Sequence, residues 1–251
     1  MNFKHPVFAP YQDEIEALGL AHEFPSMHAL SALAEQRGLV NARELPLHFS
    51  KPDGSLSARD YEQHILETGC IRTRTDSWHD VMNALVWLRF PQFKAALNAA
   101  HGEAIAVEDG TLRGRRRDAL TVLDESGVWV STATTRLTET LSQRRWRELF
   151  WAHRESASTA MQWVVVGHAL LEKMLKPYPA ITGKCLLLHT TTLVADQADL
   201  AQVQQRAVTE LNALDVPDQL APLPLLGIPG WDSANGHAAY YDNHAVFRTS
   251  A

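Results

Sequence analysis

The spacing of hydrophobic positions predicts helices along much of the chain. In the first half, apolar residues recur three and four positions apart, as they do on the buried face of an amphipathic helix. Ser26 and Ser57 precede two of these stretches as typical N-cap residues, and Gly69 follows the second as a stop signal. We therefore predict helices over Tyr11–Leu18, Met27–Gln36 and Ala58–Glu67.

The strongest helical pattern begins at Ser77, where Ser77-x-x-Asp80 resembles a capping box. An apolar stripe follows it for about three turns. Pro91 cannot donate a backbone hydrogen bond to the preceding turn. The sequence therefore predicts a break near Phe90 and a second helix over Pro91–His101.

The periodicity changes after Asp118. Two short β-prone runs, Ala119–Leu123 and Val128–Ser131, flank the turn-like tetrapeptide Asp124-Glu125-Ser126-Gly127. This pattern predicts a β-hairpin in which Gly127 adopts the left-handed conformation.

The rest of the chain returns to mixed patterns and ends in a segment rich in proline, glycine and aromatic residues. That last segment predicts an ordered coil, because its aromatic side chains need burial. We expect an α+β fold: a mostly helical single domain over residues 1–251, with a small β-hairpin or sheet and an extended C-terminal coil. The remaining predicted elements are helices over Leu137–Trp151, Ser156–Leu175 and Leu200–Leu214 and a strand over Lys184–His189.

Charge and cysteine usage narrow the class of protein. The net charge is −6, which argues against a global basic field of the kind that binds nucleic acid. Cys70 and Cys185 are far apart in sequence, and neither belongs to a C-x-x-C pair. The first residues do not resemble a signal peptide, and no apolar stretch is long enough to span a bilayer. We therefore predict a soluble, cytoplasmic protein with no membrane partner and no nucleic-acid partner.

High-specificity catalytic motifs are absent from the sequence. It lacks G-x-G-x-x-G, G-x-x-x-x-G-K-[ST], G-x-S-x-G and H-E-x-x-H. The 12 histidines match no local ligand template. Candidate chemistry therefore rests on three looser groups of residues.

The first group lies at the start of the strongest helix. His79 and Asn83 are four residues apart and share a helix face, and Asp80 adds a carboxylate. These residues suit a metal or acid/base site. The alternative is structural: Asp80 caps the helix, and His79 lies on its polar side.

The second group is the arginine cluster, residues 113–118, in which four arginines precede Asp118. Arg116 and Arg117 are candidates to clamp a phosphate or carboxylate, with Asp118 beside them. In the alternative, these arginines are solvated or pair with the protein's own carboxylates.

The third group is His168 and Glu172, four residues apart in an apolar predicted helix. A buried histidine beside a glutamate is a candidate metal ligand or general base. A pair that only satisfies its own hydrogen bonds is the alternative. In the C-terminal segment, Tyr241 is a candidate pocket residue, although an aromatic anchor that pins the segment to the surface explains it equally well.

The chain resembles a proteobacterial family catalogued as domain of unknown function 3025. The resemblance favours one integrated domain and implies no particular reaction, cofactor or catalytic residue. It is carried by Trp78-His79-Asp80, Asn83–Pro91, Arg116–Thr121, Asp124–Gly127, Gly167–Lys173, Leu226–Trp231, Tyr241-Asp242 and Phe247-Arg248.

Two hypotheses about function follow. The first is an enzyme acting on a small-molecule or phosphate-containing ligand, with metal-assisted hydrolysis as the reaction that these residues suit and a divalent metal ion as the candidate cofactor. The second is a non-catalytic binding or scaffold protein that recognises a protein or RNA partner through the arginine cluster and the aromatic tail. Convergence of His79, Asp118, His168 and Tyr241 in one cavity would support the enzyme hypothesis, and scattering of these residues over the molecule would contradict it.

Overall fold

The computed structural model describes residues 3–74, 76–108, 113–190 and 197–249. Over these residues the fold is α+β, as the sequence predicts. The helices are α1 (Gln12–Ala17), α2 (Met27–Gln36), α3 (Ala58–Thr68), α4 (Trp78–Arg89), α5 (Pro91–Val107), α6 (Arg115–Ser126), α7 (Thr135–Ser142), α8 (Arg154–Thr159), α9 (His168–Met174) and α10 (Gln197–Asn212). The strands are β1 (His48–Ser50), β2 (Cys70–Arg72), β3 (Gly127–Thr132), β4 (Gln162–Val165), β5 (Thr182–His189) and β6 (Ala221–Pro224).

The predicted helix boundaries in the first half of the chain are confirmed. Ser26 and Ser57 cap α2 and α3 by accepting hydrogen bonds from backbone N–H groups three residues on. Gly69 ends α3 in the left-handed conformation, at φ +72°. Pro91 separates α4 from α5, and α5 continues to Val107, one and a half turns beyond the predicted end.

The predicted β-hairpin is wrong. Residues 115–126 form α6, and Gly127 begins β3 with a φ of −68°, outside the left-handed region. Ala119, Leu120 and Leu123 are fully buried, and this spacing of one and four residues places them on one helix face. The short apolar run Ala119–Leu123 is therefore part of the buried face of a helix.

The predicted helix over Ser156–Leu175 is also wrong. It is divided into α8, β4 and α9, because Trp163, Val164 and Val165 pair antiparallel with β3 and that pairing overrides the helical spacing. The predicted helix over Leu137–Trp151 is interrupted too: α7 ends at Ser142, and a short π-helical turn occupies Glu148–Ala152. The predicted strand at β5 and the predicted helix at α10 are confirmed.

The larger sheet has the strand order β4-β3-β5-β6. Strand β3 is buried along its whole length, antiparallel to β4 and parallel to β5, and β6 is antiparallel to β5. The smaller sheet pairs β1 with β2 in parallel. Both ends of β3 adjoin helices, and its first residue directly follows α6.

The buried side chains form one contiguous hydrophobic cluster. Trp129 of β3 lies at its centre, with ring centroids 4.9 Å from those of Phe90 and Phe93. The C-terminal coil is ordered by the same packing: Tyr241 and Phe247 are buried, and Tyr241 packs near Phe150. No described helix combines the length and the apolar composition needed to cross a membrane.

Candidate metal centre

A cavity of about 560 Å³ opens among α3, α4, α6 and the start of α9. Its volume falls within the range of small-ligand sites, roughly 300–1,000 Å³. Titratable side chains occupy much of its wall. They include Glu62, Arg72, Arg74, His79, Asp80, His101, Arg113, Arg117, Asp124, Glu125 and His168.

Three of these side chains form a compact cluster, which we call the His2Glu cluster: His79, Glu125 and His168. One potential ligand atom from each lies within 4.8 Å of the others. Glu125 Oε2 is 3.5 Å from His79 Nε2 and 3.6 Å from His168 Nε2. Three separate helices supply the three donors.

A close contact between two glycines places His168 beside the end of α6. The backbone N–H groups of Val166 and Gly167 both donate to the carbonyl oxygen of Gly127, each at 2.9 Å. A Cβ atom on Gly167 would lie only 2.4 Å from the nitrogen of Gly127. Glycine therefore permits α9 to begin against the end of α6, so that His168 faces Glu125.

His79 has a second carboxylate behind it. Asp80 Oδ1 lies 3.3 Å from His79 Nδ1, and Arg74 holds Asp80 through its backbone N–H and two guanidinium nitrogens at 2.8–2.9 Å. Burial opposes ionisation of Asp80, but the hydrogen bonds from His79 and Arg74 keep its pKa below the ordinary value. Hydrogen bonds to Asp80 and Glu125 raise the pKa of His79 to about 10.

His168 has an equivalent partner. Its Nδ1 atom lies 3.7 Å from Asp124 Oδ1, and Lys94 Nζ lies 2.5 Å from the same oxygen. Lys94 is a buried lysine with 4% side-chain exposure. Although burial alone would raise the pKa of Asp124, the charges of Lys94 and His168 hold it well below the ordinary value.

The donor set fits a divalent transition metal. Two imidazole nitrogens and one carboxylate form the ligand set of several catalytic zinc sites, which leave a further position open, and also of non-haem iron sites. Metal-binding histidines usually direct their second nitrogen at a carboxylate. Both histidines do so here, and each carboxylate is held by a cation.

The adjoining wall carries a carboxyl group of a different kind. Glu62 accepts a hydrogen bond from Asn98 at 2.7 Å. Burial and the nearby charge of Asp124 raise its pKa to about 7, despite the opposing charge of Lys94. A carboxyl group with this pKa can exchange a proton near neutral pH.

Three buried polar atoms in the wall have no hydrogen-bond partner among the described residues, namely Asn83 Oδ1, His101 Nδ1 and His168 Nδ1. The 3.7 Å from His168 Nδ1 to Asp124 is an ion-pair distance and exceeds that of a hydrogen bond. The amide nitrogen of Asn83 donates to Tyr61 at 3.0 Å, which leaves its oxygen as an acceptor. Burial lowers the pKa of His101 to about 4, so its ring is neutral near pH 7. An unpaired buried acceptor is costly, and a ligand with an O–H or N–H group would satisfy it.

The arginine cluster is divided between the cavity and the surface. Arg113 and Arg117 line the cavity, where Arg117 pairs with Glu108 at 3.0 Å. Arg116 instead pairs with Asp215 at 3.1 Å and donates to backbone carbonyls after α10. Asp118 pairs with Arg113. Much of this segment therefore fits the alternative interpretation, in which the arginines pair with the protein's own carboxylates.

Of the nine predicted site residues, five line the cavity: His79, Asp80, Asn83, Arg117 and His168. The other four, Arg116, Asp118, Glu172 and Tyr241, are not part of its wall. Glu172, one turn along α9, is absent from the cavity wall, and His168 faces Asp124 and Glu125 in its place. Glu172 is near enough to Arg74 to contribute to that residue's raised pKa.

Tyr241 lies outside this cavity, contrary to the expected convergence. Its hydroxyl donates to the carbonyl of Gly227 or Asn235, at 3.0 and 3.1 Å, and receives a hydrogen bond from Arg154. It therefore anchors the C-terminal coil, which is the structural alternative stated for it. Of the four residues expected to meet, His79 and His168 do so, whereas Asp118 and Tyr241 are not part of the wall. The case for an enzyme therefore depends on the two histidines and their neighbours in the cavity.

Glu125 and Asp124 were missed because the hairpin prediction assigned them to a turn. On a helix, Arg117, Thr121, Asp124 and Glu125 share one face, since they are spaced by three, four and eight residues. All four line the cavity. A helical interpretation of residues 115–126 would have identified both carboxylates.

The fold and the cavity together define an α+β protein with a two-histidine, one-glutamate cluster in a ligand-sized cavity. The family described as "Protein of unknown function (DUF3025)" matches residues 47–251, and the chain belongs to that family. The match includes every residue of the His2Glu cluster and its partners. Neither the curated proteins nor the solved structures contain a match to this chain.

Proposed function

We propose that this protein is a metal-dependent hydrolase of small anionic molecules, with the metal ion held by His79, Glu125 and His168. The observation that carries the proposal is the convergence of these three donors from α4, α6 and α9 at one wall of the cavity. Their separation along the chain makes local hydrogen bonding an insufficient explanation. A bound divalent ion would lower the pKa of a coordinated water and polarise the bond to be cleaved.

The carboxylates behind the histidines support the proposal. Asp80 and Asp124 lie on the Nδ1 side of the two imidazoles, so that each Nε2 atom faces the position of the metal ion. A bound divalent ion would displace the proton that the raised pKa of His79 keeps on that ring. Arg74 and Lys94 keep the two outer carboxylates ionised and in place. Among the described residues, Glu125 pairs only with the two histidines, and a divalent ion would offset its charge.

Glu62 is the candidate general base. In the proposed reaction, a water oxygen forms a bond to a carbonyl carbon or a phosphorus atom of the substrate, and the bond from that atom to the leaving group breaks. Glu62 accepts the proton of the water and returns it to the leaving group. Its raised pKa, near 7, suits both transfers.

The basic side chains of the cavity favour an anionic substrate. Arg113 is exposed and Arg72 pairs with the exposed carboxylate of Asp53, so both can exchange a surface partner for a ligand. Guanidinium groups bind phosphate and carboxylate oxygens in pairs. Asn83 Oδ1 adds a preference for a substrate with a hydrogen-bond donor.

The alternative of a non-catalytic scaffold has less support. It needs exposed tail aromatics, but Tyr241 and Phe247 are buried. It also needs a free arginine cluster; Arg113 and Arg115 are exposed, but all four arginines of the cluster already pair with carboxylates of the protein. The cytoplasmic location expected from the sequence remains part of this proposal, and both cysteines are free and buried.

Hydrolysis of p-nitrophenyl phosphate and of the neutral p-nitrophenyl acetate tests the proposal. We expect zinc-loaded protein to hydrolyse the phosphate ester, and a chelator or Glu125→Gln to abolish the reaction. His28→Ala, which removes an exposed histidine on α2, serves as the matched control. Arg113→Gln should raise KM for the phosphate ester and leave the acetate unaffected.

Turnover that survives both the chelator and Glu125→Gln would contradict metal-dependent hydrolysis. Saturable binding of the phosphate ester without any turnover would support the non-catalytic alternative. Metal analysis of the purified protein determines whether it holds zinc or iron. Bound iron would favour an oxidation reaction over hydrolysis.

A further inference from the structure

A second cavity, of about 450 Å³, lies where the β5–β6 ladder meets the C-terminal coil. Its wall includes Arg144, Trp146, Lys184, Pro222, Pro224 and Arg248. None of these residues lines the cavity of the His2Glu cluster. The metal centre therefore does not account for it.

The wall of this cavity is basic and contains no acidic side chain. Arg144 follows α7, Lys184 belongs to β5, and Arg248 lies in the C-terminal coil, so the three cations come from distant segments. Within the described ranges, no carboxylate lies within the 4.0 Å ion-pair distance of any of them. In contrast, Arg113 and Arg117 in the first cavity are both paired with carboxylates.

An unneutralised group of cations is notable in a chain with a net charge of −6. Like charges that share a concave surface repel each other, and a low-dielectric wall strengthens that repulsion. An anionic occupant removes the repulsion and gains charge-assisted hydrogen bonds.

Local contacts hold the backbone of two of the three cationic residues in place. Arg144 has a φ of +54°, a left-handed conformation that costs a non-glycine residue on the order of 1 kcal/mol. Its N–H donates to the carbonyl of Leu141 at 2.9 Å. The indole N–H of Trp146 donates to the carbonyl oxygen of Arg248 at 2.8 Å, which holds the C-terminal coil against this wall.

The strand that borders the cavity is unsuited to adding a further strand. Strand β6 is at the edge of its sheet, and Pro222 and Pro224 have no N–H to donate. Backbone pairing with an extended peptide is therefore disfavoured at this edge. The occupant that the wall suits is a small anion.

We propose that this cavity is a second ligand site, specific for a small phosphate-bearing molecule held by Arg144, Lys184 and Arg248. A phosphate group near neutral pH carries about −1.5 to −2 charges and three acceptor oxygens, which three convergent cations match. The site is independent of the metal centre and of the reaction proposed for it.

Isothermal titration with sodium orthophosphate at constant ionic strength tests this site, with the full-length protein and a chelator present. We expect saturable binding to the wild type and at least about tenfold weaker binding to Lys184→Gln/Arg248→Gln, a loss of about 1.4 kcal/mol. Lys184→Arg keeps the charge and should keep the affinity. Arg147→Gln is the matched control, because Arg147 is exposed and already pairs with Asp242.

Two results would overturn the assignment. One is the absence of saturable phosphate binding to the wild type. The other is binding that Arg113→Gln abolishes and Lys184→Gln/Arg248→Gln leaves intact, which would place the anion in the first cavity. Circular dichroism of the double variant checks that any loss of binding occurs in a folded protein.

Discussion

The imidazole rings of His79 and His168 lie edge to face, with centroids 4.6 Å apart and an interplanar angle of 82°. One ring belongs to the first turn of α4, and the other to the first residue of α9. Both Nε2 atoms approach Glu125, whereas the Nδ1 atoms face two different carboxylates. This arrangement directs both rings toward one point, as a metal centre requires.

Replacing the carboxylate behind His79 should weaken metal binding. Asp80→Asn replaces the carboxylate that orients His79 with a neutral amide, and loss of such a carboxylate partner typically costs about 10–100-fold in metal affinity. Competition with a chromophoric chelator measures the zinc affinity of each variant. Asp60→Asn is the matched control, because Asp60 follows Ser57 in α3 as Asp80 follows Ser77 in α4. An unchanged affinity in Asp80→Asn, or an equal loss in Asp60→Asn, would contradict the role given to Asp80.

Removing the charge of Lys94 should strongly destabilise the fold. Lys94→Met leaves Asp124 as a largely buried carboxylate without its closest cation, and breaking a buried ion pair costs about 3–5 kcal/mol. Urea unfolding gives the change in the free energy of unfolding. Lys173→Met, at an exposed position of α9, should change it little. A loss below about 1 kcal/mol for Lys94→Met would mean that the pair is not needed for stability.

The raised pKa of Glu62 makes stability depend on pH. The ordinary value of 4.5 applies to the unfolded chain, and the folded value is about 7. The folded state therefore binds more protons between these values, so its stability falls as pH rises from 4.5 to 7 and then stays level. Glu62→Gln removes this penalty and should become more stable than the wild type by about 3 kcal/mol above pH 7.

Urea unfolding of both proteins at several pH values, with a chelator present, measures this difference. Glu67→Gln, at the exposed end of the same helix, provides the comparison. A difference between wild type and Glu62→Gln that stays constant from pH 4.5 to 8 would show that Glu62 does not titrate in this window.

Gly167→Ala should disturb both the fold and the metal centre. The added Cβ would meet the backbone of Ser126 and Gly127 at 2.4–2.6 Å, where neither chain segment can yield easily. Overpacking of this kind costs about 1–3 kcal/mol, and the shift of α9 should also weaken zinc binding. Gly236→Ala, which meets no atom within 4 Å, is the control for unfolding and zinc titration. Wild-type behaviour of Gly167→Ala would disprove the proposed placement of His168.

The sequence predicted local structure best where single residues set an element boundary. Ser57 acts through its side-chain oxygen, Gly69 through its left-handed backbone and Pro91 through its missing N–H, and α3, α4 and α5 begin or end beside them. It failed where tertiary pairing decides the outcome. Residues 162–165 follow helical spacing, yet β3 supplies hydrogen bonds that make them a strand.

The candidate site was predictable in part for the same reason. His79 and Asp80 stand out as titratable residues at a predicted helix start, and His168 as a histidine within an apolar predicted helix. The pairing of His168 with Asp124 and Glu125, however, depends on α9 packing against α6. Helical spacing had paired His168 with Glu172. That choice considered one helix alone, whereas the structure brings three helices together.

Zinc titration of chelator-treated protein by calorimetry tests the central claim most directly. We expect the wild type and His28→Ala to bind about one zinc ion per chain with equal affinity. His79→Ala, Glu125→Ala and His168→Ala should each bind it at least about 100-fold more weakly, since each removes one of three protein ligands. Equal zinc affinity in all five proteins, or no binding to the wild type, would show that His79, Glu125 and His168 do not form a metal site.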